Sequence, residues 1–156
     1  MSIIAERVKS GAARMGLELD DTAAQRFARY YDLLVEGNQK MNLTAVLEPE
    51  EAVDRHFLDS IAPAVLGLLP EGVKMVDVGT GAGFPGLPLL IARPDIQLTL
   101  VDSLNKRLEF LRGVLEEEGQ APDEIQDVKN AHARSFPAVS RYLSRKCLSY
   151  FPFIPP

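Results

Sequence analysis

The chain has 156 residues, 46% of them hydrophobic and 25% charged, which matches one ordinary globular domain and excludes a low-complexity or disordered protein. A net charge of −5 excludes a protein that grips nucleic acid by bulk electrostatics alone, and the single Cys147 with only His56 and His132 excludes an internal disulfide and a His/Cys metal cluster. No apolar run reaches membrane-spanning length, and Glu6, Arg7 and Lys9 interrupt the N-terminal apolar residues where a secretory segment would need a continuous run, so a cytoplasmic protein is expected.

Residues 1–72 read as a helical layer. A first helix is expected around positions 4–15, with Gly11 as a weak point. Asp20 or Asp21 can cap a second, whose apolar face runs Ala23, Phe27, Tyr30, Tyr31 and Leu34 until Gly37. Asn38 and Asn42 read as cap and turn residues at its end. Pro49, with Glu50 and Glu51 behind it, opens a third helix that carries Val53, Phe57, Ile61, Val65 and Leu68 on one side, before Pro70 and Gly72 stop it.

From residue 73 to 156 the pattern changes to short β-branched runs alternating with helices, the signature of βαβ units and a parallel sheet. The first strand is expected at 75–78, and a helix starts near Pro85 or Gly86 and is limited by Pro94. A second strand spans 97–101. Ser103 is placed to cap the next helix, with Leu104, Leu108, Leu111 and Leu115 on its buried face and Gly119 past its end. A weaker third strand falls within 125–133. Beyond Asp127 there is no acidic residue, while Lys129, Arg134, Arg141, Arg145 and Lys146 are basic, so the tail is a positive segment that reads equally as solvated surface or as an RNA-facing patch.

The first strand empties into a loop with four glycines at 79, 81, 83 and 86. Such a loop lets a ligand approach main chain, and the outward-pointing amides of the following helix are suited to hold a carboxylate or phosphate. Spacing leaves the ligand open: Gly79-x-Gly81-x-Gly83 fits S-adenosylmethionine enzymes, whereas Gly81-x-Gly83-x-x-Gly86 formally fits the dinucleotide fingerprint. Asp77, placed to reach an amino-acid ammonium, and Pro85, which lacks the amide a pyrophosphate would need, tilt the choice toward S-adenosylmethionine. Phe84 is expected to face the ligand. Asp102, at the tip of the second strand, can accept both ribose hydroxyl protons, its alternative being to cap the helix that follows.

These residues resemble a family. Asn42-Leu43-Thr44-Ala45, His56-Phe57-Leu58-Asp59-Ser60, the run from Asp77 to Pro88 and Asp102-Ser103-Leu104-x-Lys106-Arg107-x-x-Phe110-Leu111-Arg112 closely resemble, in order, the ribosomal small-subunit methyltransferase G family, also called glucose-inhibited division protein B. The resemblance implies a Rossmann-like S-adenosylmethionine-dependent enzyme that methylates N7 of one guanine in 16S ribosomal RNA, with the RNA or the small subunit as partner and no metal; a monomer is expected. It implies Gly79 and Phe84 at the methionine and adenosine of the cofactor and Asp102 at its ribose. Arg134 and Ser135, in an element where Phe136 replaces the family's acid, would flank the adenine, Arg141 would lie near cofactor and substrate, and His56 and Asp59 would face the cleft. The family's sheet has further strands than the chain has room for, so a sheet incomplete at the C-terminus is expected, and a non-catalytic nucleotide- or RNA-binding remnant and a nicotinamide-dependent oxidoreductase are the alternatives. N7 carries an in-plane lone pair and no proton, so this transfer needs alignment and no general base.

Overall fold

The computed structural model describes residues 1–117, residue 119 and the backbone of 124–127. Helix α1, Ile3–Met15, starts where the Ser2 hydroxyl accepts the Ala5 amide and ends at Gly16, whose positive φ lets its amide close on Ala12 and Ala13. Gly11 belongs to α1 because Leu58 fills the notch it leaves: a Cβ there would meet Leu58 Cδ1 at 2.5 Å. Helix α2, Asp21–Met41, is capped by the Asp20 carboxylate on the Ala23 amide and ends at Asn42, which adopts the left-handed conformation at φ 48°.

Gly37 does not stop α2, contrary to expectation. It lies inside the helix, where Phe110 packs so closely that a Cβ would approach the ring at 2.7 Å. The third helical run is broken in type. Glu48 accepts the Glu50 and Glu51 amides to open α3, Pro49–Ala52; a π-helical turn follows over Val53–Leu58; and α4 covers Asp59–Val65. Val53, Phe57 and Ile61 are buried as the spacing predicts. Leu68, however, is 64% exposed, because the positive φ of Gly67 ends the helix and the Leu68 amide turns back onto the Pro63 carbonyl.

Three parallel strands form one sheet in the order β1, Lys74–Val78; β2, Gln97–Asp102; β3, Glu124–Asp127. Val78 pairs with Val101 and Asp102 with Asp127, so β1 and β2 end side by side. Helix α5, Gly86–Ala92, and α6, Asn105–Glu117, follow β1 and β2 in the βαβ alternation of a Rossmann-like sheet. One core runs from Ile4, Val8, Phe27, Tyr30 and Phe57 through Leu87 and Leu100 to Leu111 and Leu115, joining the N-terminal helices to the sheet's own.

Leu104 departs from its expected place on the buried face of α6. It is 51% exposed, since it precedes the helix and its amide is held by Asp102. No helix among the described residues is long and apolar enough to cross a membrane.

Candidate cofactor and substrate site

The carboxyl ends of β1 and β2 place Asp77 and Asp102 on either side of the glycine loop. Asp77 is 9% exposed. Its Oδ2 accepts the Thr80 hydroxyl at 2.8 Å and the Gly86 amide at 2.9 Å, so this side chain ties the end of β1 to the start of α5. No described residue donates to Oδ1. Burial pushes the Asp77 pKa up to about 6 against the lowering effect of those two hydrogen bonds.

Asp102 is 2% exposed and its two oxygens divide their work. Oδ2 accepts the Gly81 amide and Oδ1 the Leu104 amide, each at 2.9 Å, and Arg107 Nη1 stands 3.6 Å from Oδ2. The carboxylate itself therefore takes the amide ahead of α6, the work assigned to Ser103 in the sequence reading. Each oxygen keeps a second lone pair, so ribose hydroxyls remain acceptable donors.

The loop amides are spent on the protein. Gly79 and Thr80 donate to the Val101 carbonyl at 2.7 and 3.1 Å, Gly81 to Asp102, and Gly83 and Phe84 to the Thr80 carbonyl. At the start of α5, Gly86 donates to Asp77, Leu87 to the Gly83 carbonyl and Leu89 to that of Pro85, while Pro88 has no amide proton. The expectation that these amides await an anionic ligand is thus overturned: turn and helix start close on themselves, and among the described residues only Ala82 keeps an uncommitted amide between 79 and 84. A pyrophosphate would find no row of donors here.

The glycines also separate by surroundings. Gly79 is exposed, at φ 76°, and a Cβ on it would meet nothing within 4 Å. Gly81 faces only the Gly79 carbonyl at 3.9 Å. At Gly83, φ 110°, a Cβ would meet the Tyr30 hydroxyl at 2.6 Å, Leu87 at 2.8 Å and Leu111 at 2.9 Å; at Gly86 it would meet Asp77 Oδ2 and Leu100 at 2.8 Å. Close packing against the protein is thus sufficient reason for glycine at 83 and 86.

Phe84 has more protein around it than a ring in a glycine loop was expected to find. Its centroid lies 5.7 Å from Tyr30 and 6.2 Å from Phe57, and the His56 ring stacks on it at 4.5 Å and 11°. Tyr30, fully buried, donates its hydroxyl to the Ala82 carbonyl, with burial raising its pKa well above the ordinary phenol value. His56 is half-buried, which lowers its pKa, and its Nε2 lies 2.9 Å from Thr44 Oγ1 and 3.2 Å from the Val46 carbonyl. Asp59, also assigned to the cleft, is exposed at the start of α4.

The structure therefore gathers Asp77, Gly79, Gly81, Gly83, Phe84, Asp102 and His56 about one loop; Arg134, Ser135 and Arg141 lie outside the described residues. Sequence reasoning assigned no role to Thr44, Val46, Thr80 or Arg107, although Thr44, Thr80 and Arg107 all stand in the motifs that carry the family resemblance. Among the described residues, no His/Cys/Asp/Glu group is arranged to hold a metal ion.

A parallel sheet in this order, a glycine loop after β1 and a carboxylate at the tip of β2 define part of a Rossmann-like α/β domain of the methyltransferase kind. Residues 23–134 match the family described as GidB, rRNA small subunit methyltransferase G. Proteins named ribosomal RNA small subunit methyltransferase G are similar to the chain: that of Alkaliphilus metalliredigens is 47% identical over 128 residues, covering 82% of the chain and 52% of the relative. That of Streptococcus pneumoniae serotype 19F is 43% identical over 143 residues, covering 85% and 60%, and that of Streptococcus sanguinis 49% over 108 residues, covering 69% and 46%. The chain belongs to the rRNA small subunit methyltransferase G (GidB) family, and it spans about half the length of the curated relatives it matches.

Proposed function

We propose that the chain carries the S-adenosylmethionine-binding half of an enzyme that methylates guanine N7 in 16S ribosomal RNA. The observation that carries this reading is the bonding state of the loop. Its amides are committed, whereas the buried Asp77 Oδ1 and the exposed Gly79 carbonyl have no described donor. A loop poor in donors and provided with acceptors suits a cationic ligand and gives little to a pyrophosphate. S-adenosylmethionine brings a positive ammonium and a sulfonium methyl, the group transferred.

Family membership supports methylation of small-subunit rRNA; free 16S RNA or the small subunit is proposed as the substrate, with a monomer in the cytoplasm as the setting. In this assignment Asp77 and the Gly79 carbonyl bind the ammonium, the spare lone pairs of Asp102 accept the ribose hydroxyls, and Phe84 forms an apolar wall that excludes water. Arg134 and Ser135 are assigned to the adenine and Arg141 to the junction of cofactor and RNA; Asp59 is assigned to the RNA side. Guanine N7 attacks through an unprotonated lone pair, so these residues have only to align and desolvate the reactants.

Calorimetry with S-adenosylmethionine and with NAD tests the reading. The first should bind and the second should not; tight NAD binding without S-adenosylmethionine binding would overturn it. Asp102→Ala should weaken S-adenosylmethionine binding by about 1–3 kcal/mol, roughly 5- to 150-fold, as charge-assisted hydrogen bonds are lost. Methyl incorporation into intact small subunits would then test the transfer itself.

A further inference from the structure

His56 touches two parts of the molecule that are otherwise separate in sequence. One is the glycine loop, through the flat stack on Phe84 at 4.5 Å. The other is the strap of residues 42–47 between α2 and α3, through Nε2 to Thr44 Oγ1 and the Val46 carbonyl. The strap is knitted to itself and to α2: the Val46 amide donates to Thr44 Oγ1 at 3.0 Å, the Thr44 amide to Asn38 Oδ1 at 2.8 Å, and the Tyr31 hydroxyl to the Leu47 carbonyl at 2.7 Å. A carbonyl can only accept, so contact with Val46 places the proton on Nε2, where it is shared with Thr44 Oγ1. Asn42 and Ala45 of the strap are exposed, while Thr44 and Val46 are half-buried.

We infer that His56 is a positioning residue which, through its ring on Phe84 and its Nε2 proton on Thr44 and Val46, makes the strap at 42–47 respond to occupancy of the glycine loop. The inference rests on the reading above in one respect, that the methyl donor lies against Phe84. A ligand that fixes Phe84 fixes the ring stacked on it, and the hydrogen bonds at the far edge of that ring then restrain Thr44 and Val46. Coupling of this kind is reciprocal, so an RNA that engages the strap would in turn tighten the donor. His56 thereby acts through Phe84 and the strap, without having to touch the reacting atoms.

Two variants of the full chain separate the two contacts. His56→Phe keeps a ring for Phe84 and removes the proton; His56→Gln keeps an N–H near the Nε2 position and removes the ring. Amide hydrogen exchange at Thr44 and Val46 is read with and without saturating S-adenosylhomocysteine, whose binding is followed separately by calorimetry. In the wild type both amides should slow at least threefold on binding. His56→Phe should exchange at least tenfold faster than the wild type in the free protein, and His56→Gln should keep slow exchange there but lose the response to ligand.

Wild-type exchange in free His56→Phe, or a full ligand response in His56→Gln, would overturn the inference. Should His56→Phe fail to fold by circular dichroism, the lost or retained response of His56→Gln decides. A wild type that gives no heat with S-adenosylhomocysteine would instead bring down the functional reading and the ligand-linked step with it, and free-state exchange would still decide the hydrogen-bonded tie.

Discussion

The two halves of the glycine loop are built for different purposes. Its first half, Gly79 to Gly81, hangs from the end of β2 by amides on Val101 and Asp102 and has open space in front of it. The second half, Gly83 to Gly86, is driven into the core against Tyr30, Leu87, Leu100 and Leu111, with Asp77 clamping its end. Glycine serves the first half by its positive φ, with open space where the proposed ligand would lie, and the second by leaving room for the protein. This glycine-rich motif therefore joins two constraints, one of backbone conformation beside open space and one of packing.

Substitutions in the two halves should consequently fail in different assays. The largest loss of stability is expected from Gly83→Ala, which adds a Cβ at φ 110° and 2.6 Å from the Tyr30 hydroxyl. Overpacking and backbone strain together should cost about 4 kcal/mol in urea unfolding. Near-wild-type stability would show that the second half is not packed as described.

Asp77 gives the next effect, through pH. Its pKa is raised to about 6, so between about pH 4 and 6 the folded protein holds a proton that the unfolded chain releases. The contribution of this group is therefore complete below about pH 4 and is lost as pH rises through 6, by roughly 3 kcal/mol across the window. Asp77→Asn retains an oxygen for Thr80 and Gly86 and cannot ionise. Urea midpoints measured from pH 4.5 to 8 should show the wild type declining relative to this variant, and parallel curves would contradict the burial of Asp77.

The smallest stability effect should come from Gly79→Ala, where only the left-handed backbone is strained, at about 1 kcal/mol. Its signature lies in binding, because the new methyl group enters the space assigned to the ligand. Affinity for S-adenosylmethionine should fall at least tenfold by calorimetry. Unchanged affinity would move the ligand away from this half of the loop and erase the contrast.

Much of this architecture was legible in the sequence because periodicity is local. The apolar face of α2, the βαβ alternation and the carboxylate ending β2 are each written within a few turns or one strand. What escaped depends on partners far along the chain. Gly37 reads as a helix stop until Phe110 is seen lying on it, and Gly83 reads as a ligand glycine until the Tyr30 hydroxyl is placed behind it. The fate of the loop amides was equally hidden, since their acceptors come from β2 and from the turn itself. Leu104 failed for a local reason: its spacing matches the buried face of α6, but the Asp102 carboxylate holds it ahead of the helix.

The π-helical turn at Val53–Leu58 carries one residue more than an α-helical path of the same rise, and His56 sits within it. Chain length there is consequently as informative as residue identity. Excising a single residue would restore the ordinary α-helical path with α3 and α4 kept nearly in phase, so the change would fall on the turn itself, where His56 stacks on Phe84. A one-residue deletion in this turn would therefore disturb the His56–Phe84 stack while leaving the helices on either side in place.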